Sequence, residues 1–157
     1  MANSIRQQVM VAVVSSLSNI SEYNGYQTDV RFVSENIKHF SELDTDKFPA
    51  IFPIDTNEAK ESFTFRPDST AGDMKSTLTI LVTSYLFSRT GVTVQARSDL
   101  LRDIEKAMMN ATAMTTISNI IDIRPVNVTT DQGTIDNYSV HDQDFEIDYV
   151  YNHADGG

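Results

Sequence analysis

The sequence predicts an α/β fold of the α+β kind: a single mixed or antiparallel β-sheet packed by two main amphipathic helices. Three observations predict it. Two stretches, near residues 4–20 and 93–110, carry apolar residues at helical spacing. Two others, residues 75–88 and 143–151, alternate apolar with polar residues in the manner of strands. The remaining apolar runs are short and bounded by Pro, Gly and Asn. A chain of 157 residues suits one domain spanning residues 1–157.

In the first helix Ile5, Val9, Ala12, Val13, Leu17 and Ile20 share one face. Ser4 is the expected N-cap, because its hydroxyl can accept one of the orphan backbone N–H groups. Arg6, Gln7, Ser15 and Ser18 point elsewhere, and Asn24-Gly25 marks a turn. Residues 28–33 read as a strand with Val30 and Phe32 on one side. Residues 34–47 read as polar and irregular, with room for one helical turn. In Phe48-Pro49-Ala50-Ile51-Phe52-Pro53-Ile54-Asp55 the prolines cannot donate to a ladder. That strand is expected to be short, at an edge, or bonded on one side. Residues 62–66, with Phe63 and Phe65, read as another short strand running into an exposed turn-rich loop at 67–73.

The strand at 75–88 places Leu78, Ile80, Val82 and Leu86 on one face. Thr77, Thr79, Thr83 and Tyr85, with Leu81 among them, take the other. In the second helix the stripe is Leu100, Leu101, Ile104, Ala107 and Met108. Arg97, Asp99, Arg102, Asp103, Glu105 and Lys106 are assigned to solvent, with Asp99–Arg102 and Asp103–Lys106 as i,i+3 ion pairs. Residues 111–118 fit a fraying helix end or a loop. Residues 120–130 read as a strand in which Pro125 implies an edge or a bulge. A turn at 131–133 and a polar connection at 137–143 precede the last strand, where Phe145, Ile147, Tyr149 and Tyr151 alternate with acidic residues. Residues 152–157 are expected to be a disordered tail.

Charge and composition narrow the function classes. The net charge is −10, which argues against neutralising nucleic-acid phosphates and favours a basic partner surface. There are no cysteines, so disulfides, thiolate catalysis and Cys-based zinc sites are excluded. No stretch has the roughly 18 apolar residues of a membrane span, and the first residues lack a secretory pattern. A protein made and used in the cytosol, without membrane contact, is the expectation.

Catalytic signals are sparse. His39, His141 and His153 are far apart, and each reads as a solvated side chain in a polar loop. There is no Gly-x-Ser-x-Gly elbow and no Gly-rich phosphate loop. Met108, Met109 and Met114 read as core filler in preference to an adaptable binding surface. One polar array remains: Asp142, Asp144, Glu146 and Asp148, at period two on one face of the last strand. Three readings fit it: a solvated outer face, an acidic stripe facing an interface or a ring lumen, or a metal site. The metal reading is the poorest, because carboxylates spread along an extended strand do not converge at the roughly 2.0–2.6 Å that Mg²⁺ or Ca²⁺ requires.

In this order of elements the chain resembles the tail terminator, or tail completion, proteins of long-tailed bacteriophages. The resemblance rests on the opening Ile5–Ile20 helix and on Phe48-Pro49-Ala50-Ile51-Phe52-Pro53, which is similar to the family's hydrophobic-Pro-Ala-Ile early strand. It continues through Leu78–Phe87 followed by Ser98-Asp99-Leu100-Leu101-Arg102-Asp103-Ile104-Glu105-Lys106-Ala107-Met108. It ends with Thr130-Asp131-Gln132-Gly133 and Asp144-Phe145-Glu146-Ile147-Asp148-Tyr149-Val150-Tyr151. Residues 34–47 and 67–74 have no counterpart.

The resemblance implies a structural virion protein and not an enzyme, with no cofactor. It implies self-assembly into a hexameric ring that caps the tail tube, stops tube polymerisation and presents a surface to head connector and neck proteins. The tail tube protein is then a partner, and genomic DNA passes through without specific binding. The location is the tail or neck of the virion, assembled in the host cytoplasm. Open sheet edges and the loop at 67–74 are the expected contact regions. The stripe Asp142, Asp144, Glu146 and Asp148 would face the lumen and repel DNA. The alternatives are another neck or head-to-tail joining protein and, from a different class, a small metal-dependent cytosolic enzyme using those carboxylates.

Overall fold

In a computed structural model, described for residues 4–62, 72–109, 117, 119–131 and 135–152, the chain forms one five-stranded mixed sheet with two α-helices on one face. The elements in order are α1 (Ile5–Ser18), β1 (Phe32–Val33), β2 (Ala50–Ser62), β3 (Asp73–Phe87), α2 (Val94–Met109), β4 (Ile120–Thr130) and β5 (Tyr138–Asn152). The sheet order is β1-β2-β3-β5-β4. The β1–β2 pair is parallel and the others are antiparallel. Both expected helices and the α+β class are present.

α1 begins at Ser4, whose hydroxyl accepts the Gln7 N–H at 3.2 Å, while the Gln7 side chain takes the Ser4 N–H at 2.9 Å. This reciprocal capping box satisfies two donors at the helix start. α1 packs over β1 and β2, and α2 over β5 and β4. The helices touch where Ser16 Oγ donates to Ala107 O at 2.8 Å. The main core lies between helices and sheet. Val9, Val13, Leu17, Leu100, Ile104 and Met108 from the helices meet Ile51, Leu78, Ile80, Val82, Phe145 and Ile147 from the strands.

A second, smaller core lies on the other sheet face at one end. Phe48, Ala50, Phe52 and Tyr85 are buried there, with Phe32, Phe40, Phe87 and Tyr138 packed against them. The rings meet mostly tilted or edge-on, as Phe40–Tyr138 at 4.7 Å and Phe52–Tyr85 at 5.4 Å. Residues 34–47, expected to be irregular, hold two 3₁₀ turns, Phe40–Glu42 and Thr45–Lys47, and Tyr85 Oη donates to Lys38 O at 2.8 Å. This segment therefore carries Phe40 into the small core.

Several expectations need correction. The strand at 28–33 shrinks to two residues, because β2 offers a parallel partner only at Ala50 and Ile51. Val30 instead donates its N–H to Ile20 O and packs on the main core, so it does not share a face with Phe32. The Pro-containing strand is long, not short, since β2 runs from Ala50 through Ser62, and the rest of the short strand expected at 62–66 lies outside the described residues. Pro49 lies before its first residue, and β1 covers only its beginning, so most of its outer side has no strand partner among the described residues. β5 begins at Tyr138, where a polar connection was expected, because residues 138–142 pair with β3. It also runs through Asn152, one residue into the expected tail. Pro125 does lie on an edge strand, with register shifts between Ile120 and Asp122 and between Pro125 and Asn127. Phe63, Phe65, the loop at 67–71, Met114, the turn at 132–133 and the tail at 153–157 lie outside the described residues.

On α2, Asp103 is buried and not on the solvent face. Its carboxylate accepts the Gln27 N–H at 2.9 Å. The expected Asp103–Lys106 pair is absent for that reason, and Lys106 Nζ donates to Gly25 O at 3.1 Å. Asp99–Arg102 does form, at 3.7 Å.

Candidate functional site

β5 is an interior strand, flanked by β3 and β4, and period two divides its side chains between the two sheet faces. Phe145, Ile147, Tyr149 and Tyr151 go under the helices. Asp142, Asp144, Glu146 and Asp148 go to the opposite face, past the end of the small aromatic core.

The register sets a bonding partner beside three of the acids, Asp142, Glu146 and Asp148. Asp142 faces Thr83, whose hydroxyl donates to it at 2.8 Å, and Asp148 faces Thr77, which donates at 2.7 Å. From β4, Arg124 reaches both Glu146 and Asp148, the latter at 2.7 Å, and also Asp122 at 3.1 Å. Lys75 lies 3.7 Å from Asp148. Asp148 is buried, which pushes its carboxyl pKa up. The hydrogen bonds from Arg124 and Thr77 and the neighbouring positive charges outweigh burial and hold it below the usual range. Hydrogen bonds to Asp148 and Glu146 raise Arg124 above its ordinary value.

The four acids thus share a face as expected, but their charge is uneven. Two basic side chains offset the Asp148 end, and Asp142 and Asp144 at the other end have no cation within ion-pair distance among the described residues. Sequence reasoning missed Arg124 and Lys75. The available signals were Arg124 as the lone cation in residues 120–130 and the Thr77, Thr79, Thr83 alternation, which matches the acids once β3 and β5 are paired. Alternate residues on a strand stand roughly 6.8 Å apart, too far for the four carboxylates to close on one ion. Among the described residues no group of three or more His, Asp or Glu side chains is arranged to hold a metal.

Two polar arrangements lie on the helix-covered face. Glu58 of β2 accepts from Ser76 and Tyr149 and pairs with Arg6 of α1 at 3.1 Å, while Arg6 also pairs with Asp55. Arg6, expected to point away, ties α1 to β2 through this network. Burial raises the Tyr149 hydroxyl, and its hydrogen bond to Glu58 raises it further, to about 12. Burial also pushes Glu58 up, but the hydroxyl donors and the charges of Lys60 and Arg6 bring it below the ordinary carboxylate value.

The second arrangement corrects the reading of His141 as a solvated loop residue. It is fully buried on β5, between Ser84 Oγ at 3.1 Å from Nδ1 and Ser139 Oγ at 2.6 Å from Nε2. Burial lowers its pKa to about 4, so the ring is neutral at neutral pH. Next to it Gln143 donates to Leu101 O at 3.1 Å, and its Oε1 is buried without a hydrogen-bond partner. His39 is exposed and caps the 3₁₀ turn Phe40–Glu42. His153 lies outside the described residues.

The surface carries two further features. On edge strand β4, Ile121, Val126 and Val128 are each about half exposed (50%, 53% and 52%). At the other side of the sheet, a groove of about 410 Å³ runs between α1 and β2, lined by Arg6, Gln7, Met10, Val11, Glu35, Pro53, Ile54 and Asp55. Among the described residues no helix is long and apolar enough to cross a membrane.

With the geometry in place, comparison of the chain with protein-family models gives no match, and comparison with curated proteins gives none either.

Proposed function

We propose that this protein is a phage tail terminator: a ring-forming structural protein that caps the tail tube, stops its growth and presents a surface for the head connector. The observation that supports the reading is positional. The segments carrying the resemblance fall, in order, on α1, the start of β2, β3 with α2, and the β4–β5 pair of one sheet. Fold alone does not give function, so the reading also draws on the surfaces. A closed ring of identical subunits needs two unlike patches that meet head to tail. Among the described residues the sheet offers two unlike open edges, on β4 and β2.

In this reading the protein acts without a cofactor and performs no catalysis. Its partners are copies of itself, the tail tube protein and the neck proteins, and its place is the virion. The Asp142–Asp144 end of the stripe is the part suited to a DNA-repelling lumen, because no cation offsets it among the described residues. Gold-labelled antibody against the protein, applied to virions, tests the location. A single label at the head-proximal end of the tail is expected. Virions without label, in a preparation where the antibody binds the free protein, would remove the reading.

A further inference from the structure

We infer that copies of this chain join by laying β4 of one, antiparallel, along the open outer edge of β2 of the next, so that one sheet continues through the assembly. The inference rests on the ring-forming reading only for closure of the ring; the contact itself follows from the sheet.

An open strand edge presents a row of unpaired N–H and C=O groups, and what satisfies it is another strand. Among the described residues the sheet has two such edges, on opposite sides, along residues 53–60 of β2 and 120–128 of β4. β4 ends the sheet order, and β2 is covered by β1 only at Ala50 and Ile51. The edges differ in character. β4 carries the half-exposed Ile121, Val126 and Val128. β2 borders the groove with Met10, Val11, Pro53 and Ile54 in its wall, where Val11 of α1 is 64% exposed. One edge has apolar side chains to bury, and the other borders a recess with an apolar strip of Met10, Val11, Pro53 and Ile54 beside the charged Arg6, Glu35 and Asp55.

Strand sense and register agree. β2, β3, β5 and β4 alternate in direction, so a rotation that keeps strand sense brings β4 beside the next β2 antiparallel, the more stable pairing. Rows of paired residues cross the sheet, and one runs Val128–Gln143–Val82–Pro53. Continued into the next copy without stagger, it sets Val128 beside Pro53, at the groove, and the contact ends near there, because the Thr130–His141–Ser84–Ile51 row is already taken by Val33 of β1. Another row runs Asp122–Asp148–Thr77–Ala59 and sets Asp122 beside Ala59. The charged residues of β2 in these rows, Asp55, Glu58 and Lys60, meet Pro125, Ile123 and Ile120. Asp122 and Arg124 of β4 meet Ala59 and Asn57, so no row opposes two charges. A β2–β2 contact would instead face two acid-rich strands, and like charges across a strand pair are destabilising.

The absence of cysteine makes the test clean. Asp122→Cys and Ala59→Cys are combined in one chain, and the full-length protein at millimolar concentration is treated with a short bis-maleimide. The expected result is a covalent ladder reaching trimers and beyond, absent from either single variant. Adding Val128→Lys is expected to cut the ladder at least tenfold, while the circular dichroism spectrum stays unchanged. Dimers from Asp122→Cys alone would mean a two-fold β4–β4 contact and would overturn the inference. So would a protein that stays monomeric, or one that associates without linking these sites. A ladder together with normal tails from a phage lacking the gene supports the edge contact and removes the tail-terminating reading. Overlong tails in that phage with no ladder do the reverse.

Discussion

The two faces of β5 contrast sharply, although they belong to the same residues taken alternately. Toward the helices, Phe145, Ile147, Tyr149 and Tyr151 are almost fully buried in the main core. Away from them, Asp142, Glu146 and Asp148 are held by hydroxyls and cations from β3 and β4, and Asp144 stands beside Leu81 and Asn127. The first face is stabilised by removing apolar surface from water and so depends on volume and fit. The second is stabilised by pairing and so depends on charge state and on the neighbour's identity. Substitution is therefore felt as lost stability on the first face and is freer to serve a surface on the second.

The largest break in the contrast is expected from Phe145→Ala. Emptying that site removes apolar burial and leaves a cavity, at a cost of about 3–5 kcal/mol. Asp144→Ala, one residue away on the opposite face, is expected to change stability by no more than about 0.5 kcal/mol. Urea unfolding of both variants measures the difference directly; equal losses would mean that the open face is packed against something.

His141 is the point where the covered face becomes pH-sensitive. Its folded pKa of about 4 lies below the ordinary 6.5, so the unfolded chain binds the extra proton first. Stability from this group is full above pH 6.5, declines as pH falls toward about 4, and is level below that. The total decline is on the order of 3 kcal/mol. The lowered carboxylates, Asp148 and Glu58, act separately. Their contribution is present above the unfolded carboxylate pKa and is lost as pH falls through their depressed folded values. Urea midpoints measured from pH 8 to pH 4 should slope for the parent and flatten for His141→Gln.

How much of this was legible in the sequence differs between the faces. The apolar spacing placed Val9, Leu17, Leu78, Ile80, Ile104 and Phe145 correctly, because a buried face leaves a periodic trace in one segment alone. Partners from other strands leave no such trace. Arg124 meets Asp148, and Thr83 meets Asp142, only once register is known. The same holds for Asp103, which looked like one of several charges on a helix face until residues 25–27 folded against it. His141 was misread because the strand beginning at Tyr138 has too few apolar residues to announce itself, and pairing with β3 defines it. The small aromatic core was missed because Phe32, Phe40, Phe52 and Tyr138 come from four separate segments.

Smaller effects sharpen the comparison further. Arg124→Met is expected to cost about 1 kcal/mol, since Arg124 is partly exposed while the carboxylate of Asp148 that it satisfies is buried. Unfolding at low and at high salt checks it: the loss should shrink with salt for the Glu146 and Asp122 contacts but persist in part because of Asp148. At the edge of the covered face, Ser4→Ala removes the capping box and should cost about 1 kcal/mol. Hydrogen exchange in the first turn of α1 would report it as faster exchange confined to that turn.

Electron microscopy of particles from a phage with an early stop codon in this gene tests the proposed tail-terminating role most directly. Free tail tubes of excessive or irregular length, with no heads attached, are the expected result. Tails of normal length that fail to join filled heads would contradict it in favour of a neck role, and intact infectious virions would contradict assembly altogether.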